Sequence, residues 1–224
     1  MPGFTDRLVA ANRALWSAMA DHPFVLGLAS GTLPKTAERA WIQQDRAFVL
    51  EERRAVAVLR AHRPPAGLDR LLAGLADSLV TEADGFAVAA AERGFAADAD
   101  PWPVCLGYTS YLRSAAHDGM LEGLTALYAA ERAYLDTWTA VAASSPAGSR
   151  YHRWVENWSG DGFRAFVAAL GRELDELAGA PAAALAGRLG RLFTDAARFE
   201  LAFWEMCWKG DAWPVVDPPE GACP

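Results

Sequence analysis

Two stretches of this 224-residue chain set carboxylates among aromatic side chains at helical spacing. Within Arg198-Phe-Glu-Leu-Ala-Phe-Trp-Glu-Met-Cys-Trp208, Glu200, Phe203, Trp204 and Cys207 recur at i, i+3, i+4 and i+7, which puts them on one face of a helix. Trp41, Asp45, Phe48 and Glu52 repeat the arrangement earlier in the chain. Taking an unpaired carboxylate out of water is costly, so such a group is paired, is protonated with a raised pKa, or lines a small polar pocket. A carboxyl lifted toward neutrality can act as acid toward a leaving group and then as base toward water. Other chemistries find less support. A di-iron carboxylate site would need Glu-x-x-His pairs, and the residues three before the four histidines are Met19, Leu59, Ser114 and Ser149. His152 and Glu156 form one i, i+4 pair, too little for a metal. Cys105, Cys207 and Cys223 form no disulfide framework or zinc spacing, and Cys105 and Cys207 read as buried thiols.

The elements that must position these residues read as helices throughout. Phe4, Leu8, Ala11, Leu15 and Met19 mark a helix over Phe4–Ala20, and Pro23 and Gly31 bracket a short second one. Lys35–His62 is helical and is stopped by Pro64-Pro65. Leu68–Phe95 carries Leu71, Leu72, Leu75, Leu79, Phe86 and Ala90 inside. Asp100-Pro101 is expected to cap a helix running to about Ala116, followed by helices over Met120–Val141, Tyr151–Trp158, Phe163–Leu177 and Pro181–Trp208. No alternating strand pattern or internal repeat occurs, so the expected class is all-α. Residues 1–209 are expected to form one domain and 210–224 a C-terminal tail without helical pattern.

Composition narrows the partners. A 52% hydrophobic and 22% charged chain is that of a folded domain with a substantial core. The formal net charge of −7 argues against phosphate-rich partners, so neither nucleic acid nor an anionic membrane surface is expected. No run approaches the roughly 18 apolar residues of a membrane helix. The polar start Met1-Pro-Gly-Phe-Thr-Asp-Arg7 lacks the pattern of a signal peptide, so a cytoplasmic location is expected.

Taken in order, His22-Pro-Phe24, Gly31-Thr-Leu-Pro34, Gln44-Asp45, Tyr108-Thr-Ser-Tyr-Leu112, Trp154-x-x-x-Trp158 and Glu200-x-x-Phe-Trp204 carry a family likeness. The chain resembles the TenA (thiaminase II) family from its first helix to about Trp208. That resemblance implies a heme-oxygenase-like multi-helix bundle, a homo-oligomer (tetramer or dimer), and cofactor-free hydrolysis at the exocyclic methylene of an aminopyrimidine in thiamin salvage. Carried over residue by residue, Asp45 matches the aspartate that bonds the ring's amino edge, Tyr108 a tyrosine of the substrate pocket, and Glu200 the acid/base glutamate. Phe48 and Trp158 stand where members commonly carry tyrosines; both keep a stacking face and lose the hydroxyl. Phe203 is expected in the same pocket.

The departure is Glu131, which falls where thiaminase-active members carry a nucleophilic cysteine. The chain therefore resembles the cysteine-less, glutamate-bearing branch, linked to amino- or formylamino-methyl pyrimidines, and cleavage of thiamin itself is not implied. Glu131 would orient water or bind the departing amine, with Tyr134 extending the pocket wall. Blander arrangements stand beside these: Asp45 could pair with Arg39 or Arg46, and Glu131, which Arg132 follows, could belong to an interhelical salt bridge. The alternatives in function are a noncatalytic pyrimidine-binding or regulatory protein, or a fold relative acting on another heterocycle. An acidic substrate would call for more His and Arg than this chain offers.

Overall fold

The computed structural model describes residues 3–146 and 148–214. Its ten helices are α1 (Phe4–Ala11), α2 (Arg13–Ala20), α3 (Pro23–Ser30), α4 (Lys35–Ala61), α5 (Ala66–Glu92), α6 (Pro103–Asp118), α7 (Met120–Ser144), α8 (His152–Ser159), α9 (Asp161–Ala178) and α10 (Ala183–Lys209). No strand occurs among the described residues. The all-α architecture expected from the sequence is the one observed.

Helix α7 forms the centre of the bundle, because an unbroken buried run from Glu122 to Glu131 leaves it apolar on most sides. Helices α6, α8, α9 and α10 pack against it, and α3 crosses it as well. Helices α4 and α5 form an antiparallel pair on one flank, reversed at Pro64-Pro65. Close approach of α7 to α6 and α4 depends on Gly123, where a Cβ would come within 2.6 Å of the Ala116 backbone and 2.7 Å of Leu59. An aromatic cluster fills the space between α4 and α8: Trp41 meets Trp154 at 4.7 Å and Trp138 at 5.6 Å, and Trp138 meets Trp158 at 4.9 Å. Aromatic pairs of this kind add to area burial by about 0.5–1.5 kcal/mol each. They give α4 and α7 a fixed relative rotation.

Three local expectations are corrected. The first helix divides at Asn12, whose amide donates back to the Leu8 carbonyl at 2.9 Å, so Phe4–Ala20 is two helices. Helix α6 starts at Pro103 rather than after Asp100. Gln44 takes the Asp100 carbonyl at 3.1 Å and the Trp102 N–H at 2.7 Å, which holds that segment extended. The cap comes instead from Asp211, whose carboxylate accepts the Val104 N–H at 3.0 Å. The beginning of the C-terminal tail is thereby tied to the bundle, with the Trp213 indole N–H donating to the Pro101 carbonyl at 3.2 Å. The remainder of the expected tail, with Cys223, lies outside the described residues.

Other local signals are met. Pro23 occupies the first turn of α3, Gly31 ends it at φ 72°, and His22 caps it by accepting the Phe24 N–H at 3.1 Å. The other ring nitrogen of His22 meets Glu205 at 3.0 Å, and Lys209 pairs with the same carboxylate. His152 and Glu156 form an exposed surface pair.

Candidate active site

Helices α4, α5, α6, α7 and α10, with the end of α8 and the start of α9, line a cavity with an empty volume of about 520 Å³, counting the part that opens to solvent. Its walls bring together every site residue expected from the sequence: Asp45, Phe48, Tyr108, Glu131, Tyr134, Trp158, Glu200 and Phe203. Each arrives by a simple rule of helical geometry. Asp45 and Phe48 lie on adjacent turns of α4, Glu131 and Tyr134 on adjacent turns of α7, and Glu200 and Phe203 on adjacent turns of α10. Phe48 lies between Tyr108 at 5.0 Å and Phe203 at 5.7 Å, and Tyr134 meets Trp158 edge to face at 5.0 Å. The result is a slot with aromatic walls, suited to a flat ring.

Asp45 has two donors on one oxygen, the Trp41 indole N–H and the Tyr134 hydroxyl, each at 2.6 Å. Its second oxygen is left for a ligand. The Arg39 and Arg46 pairings are absent: Arg46 binds Asp98, and Arg39 stacks over Phe95 at 5.3 Å. Glu200 accepts the Tyr108 hydroxyl at 3.1 Å, while Tyr108 stacks on Phe199 at 5.3 Å, which fixes the ring and aims its hydroxyl. Glu131 forms no salt bridge with Arg132, which turns instead to Asp136 at 2.8 Å. One carboxyl oxygen of Glu131 is buried without any hydrogen-bond partner. Five other buried polar atoms among the described residues are also without a partner, but this one is the carboxyl oxygen that lines the cavity.

Two further carboxylates share the cavity. Glu52, already on the α4 stripe, was not assigned to the site by the sequence, and Glu82 on α5 escaped notice altogether. A signal for Glu82 exists: Leu75, Leu79, Glu82 and Phe86 are spaced four, three and four apart, the same carboxylate-on-an-apolar-face pattern that marks Glu200. The other buried acids of the bundle show what structural carboxylates look like here. Glu38 is held by Arg93 at 2.9 Å and by Arg150, and Glu122 by Arg188. Among the described residues, no Lys, Arg or His lines the cavity.

Uncompensated burial sets the titration of the whole group. Desolvation raises Asp45 to about 7, against the opposing Tyr134 and Trp41 hydrogen bonds. Desolvation, with repulsion from Asp45, raises Glu82 to about 7 and Glu200 to about 8. Glu52 and Glu131 are pushed well above the ordinary glutamate value, first by burial and then by neighbouring carboxylates. Strong upward shifts gathered in one cavity, without basic partners, make it the candidate functional site of the bundle. The thiols play no comparable part. Burial raises Cys105 to about 12 and lifts Cys207 well above its usual value, so neither is an activated thiolate.

Fold and site together define an all-α bundle with an enclosed, aromatic, carboxylate-rich cavity at its centre. Residues 9–210 match the model of the TENA/THI-4/PQQC family, and the chain belongs to that family. Among curated relatives, it is 24% identical over 221 residues to an aminopyrimidine aminohydrolase of Halalkalibacterium halodurans, covering 94% of this chain and 97% of that one. It is likewise 24% identical over 223 residues to an aminopyrimidine aminohydrolase of Bacillus subtilis, covering 94% and 92%. Among solved structures, a TenA homologue from Pyrococcus furiosus superposes with a TM-score of 0.87 at 29% identity, over 92% of this chain and all of that one. A TenA homologue from P. horikoshii gives 0.83 at 27% identity, over 93% and 100%.

Proposed function

We propose that this protein is a hydrolase that releases the amine from the exocyclic methylene of an aminopyrimidine, in salvage of the thiamin pyrimidine. The observation that supports it most directly is the pairing, across one aromatic slot, of a carboxylate with a free oxygen, Asp45, and a tyrosine-bound carboxyl titrating near neutrality, Glu200. Family membership and the names of the two curated relatives point the same way.

In this reading the pyrimidine lies against the aromatic wall formed by Phe48, Tyr108 and Phe203, with its amino edge donating to Asp45. An aspartate accepting from that amino group favours the push of ring electrons toward the methylene as the carbon–nitrogen bond breaks. The departing nitrogen keeps the bonding pair and must be protonated to leave as a neutral amine. Water then adds to the methylene carbon and gives up a proton. Glu200 is the group for both proton transfers, because a carboxyl near pH 8 holds a proton for the leaving nitrogen and accepts one from water afterwards. Tyr108 aims it. Glu131, with its unsatisfied oxygen, holds the attacking water or the departing amine.

Release of ammonia from an aminomethyl aminopyrimidine, measured beside the formylaminomethyl analogue and thiamin, tests the proposal. Turnover of either of the first two is the expected result. Inertness toward all three, with retained pyrimidine binding, would establish a noncatalytic binding protein.

A further inference from the structure

We propose that Glu52, Glu82 and Glu131 form an ammonium-binding subsite beside α5, which takes the leaving nitrogen of the substrate as a protonated alkylamine. This inference rests on the aminopyrimidine reading and specifies the substrate's charge. It assigns work to two residues, Glu52 and Glu82, that the proton-transfer scheme leaves idle.

Geometry comes first. Glu52 lies two helical turns beyond Asp45 on α4, roughly 10 Å along the axis, so the two side chains can flank one small ring and its substituent. Glu131 reaches in from α7 and Glu82 from α5. The buried, partnerless oxygen of Glu131 requires a donor that the protein itself does not supply. Neither Glu52 nor Glu131 accepts a hydrogen bond among the described residues, whereas Asp45 and Glu200 are held by tyrosines. Glu82 has a hydrogen bond from Trp158, so the cavity divides into carboxyls held by aromatic donors, Asp45, Glu82 and Glu200, and two without a donor, Glu52 and Glu131.

The missing partner is a cation with hydrogens to donate. Among the described residues no three of these side chains are grouped as metal ligands would be; carboxyls spread around the cavity suit a donor that reaches them through separate N–H bonds. A primary ammonium carries three N–H donors on one centre, and acceptors from three helices line the cavity that would hold it. A neutral formamide offers one such donor, and a thiazolium ring nitrogen offers none.

The way in has the same character. Leu75, Glu82 and Phe163 line both the inner cavity and an outer groove between α5 and the α8–α9 turn. Glu156 and Asp161 add to the acidic wall of that groove, against Arg70 on the other side. Glu82 therefore stands at the throat, where an approaching amine meets it before the deeper carboxylates. Once seated, the ammonium stabilises ionised carboxylates around it, Glu200 included. A substrate that arrives protonated already carries the proton that Glu200 supplies to a neutral amine in the scheme above, so Glu200 is left with the base half of its role. The carbon–nitrogen pair then departs with neutral ammonia, and Glu200 takes the proton released by the attacking water.

Benzylammonium and benzyl alcohol, of similar size and different charge, are the probes for the subsite, and the hydroxymethyl aminopyrimidine is the probe for the ring site. Calorimetry at neutral pH on the full chain should show benzylammonium binding about tenfold or more tightly than benzyl alcohol, a difference of roughly 1.4 kcal/mol. Glu82→Gln and Glu52→Gln should each shrink that ratio about threefold or more. The ratio is insensitive to partial loss of folded protein, and thermal unfolding of each variant confirms the fold. Equal affinity of the two probes for the native protein, or an unchanged ratio in both variants, would overturn the subsite. Failure of the hydroxymethyl aminopyrimidine to bind, while benzylammonium is still preferred, would overturn the aminopyrimidine reading and leave the ammonium subsite standing.

Discussion

Tyr134 on α7 and Trp41 on α4 both donate to the same oxygen of Asp45, each at 2.6 Å. The pair fixes the rotamer of a buried carboxylate and leaves its other oxygen facing the cavity. Removing the tyrosine hydroxyl should therefore loosen the aspartate and raise its pKa further, since that bond opposes the desolvation shift. Tyr134→Phe is expected to weaken binding of the hydroxymethyl aminopyrimidine by about tenfold, the scale of one hydrogen bond to a charged group. A titration by calorimetry checks this, and a change below twofold would show that Asp45 does not depend on Tyr134.

Glu200→Gln separates chemistry from binding. Glutamine keeps the shape and the Tyr108 partnership and cannot shuttle a proton. Ammonia release should fall by about 10²–10⁴-fold, the usual contribution of a general acid/base, with KM much less affected. Unchanged release would place the proton transfer elsewhere in the cavity.

Stability should fall as pH rises through neutrality. Burial lifts Asp45, Glu82 and Glu200 to about 7, 7 and 8 in the folded protein, above their ordinary values of 3.8, 4.5 and 4.5. Between those limits the folded protein binds more protons than the unfolded chain, so unfolding becomes easier with each step up in pH. The exposed carboxylates Asp69 and Glu205 are shifted downward by their basic partners and act with the opposite sign, but below this window. Thermal unfolding in the absence of ligand should show a midpoint several degrees lower at about pH 8 than at about pH 5. A midpoint that rises over this range would mean that the cavity carboxyls titrate normally.

Glu131→Gln should stabilise the protein. The native side chain buries a carboxyl with one unpartnered oxygen among like charges. An uncharged isostere removes the repulsion, so the unfolding midpoint should rise by about 2–4 °C, at the expense of turnover. A lowered midpoint would show that Glu131 has a structural partner after all.

The tail makes a separate test. Asp211 caps α6 from more than a hundred residues away in sequence, accepting the Val104 N–H at 3.0 Å. Asp211→Ala should cost about 1 kcal/mol, the usual value of a lost helix cap. Chemical denaturation reads it directly. An unaltered midpoint would mean that the cap is replaced by water.

Much of this was legible along the chain. The helices of the bundle, the proline and glycine punctuation around α3, and the carboxylates on the faces of α4 and α10 all follow from spacing, because helix faces and caps depend on residues within a few positions of one another. The ordered motifs further placed Tyr108, Glu131 and Trp158 in one pocket. What spacing could not supply were relationships between distant segments. Asp100 looked like the cap of α6, yet Gln44 holds its segment extended and Asp211 provides the cap. Glu131 could have belonged to an interhelical salt bridge, yet no basic side chain pairs with it among the described residues, and the adjacent Arg132 reaches Asp136 one turn later.

The sequence by itself determined that acidic side chains would lie on apolar helix faces, since a period of 3.6 residues is a local property. Only the tertiary structure decided that five of them, from α4, α5, α7 and α10, would face one cavity with no Lys, Arg or His among the described residues that line it. A carboxylate's pKa, and with it the capacity to move a proton, is set by how much water and how many charges surround it. Those neighbours arrive from other helices, and Glu82 shows the limit: on its own helix it is an ordinary acid, and at the throat of the cavity it is part of the site.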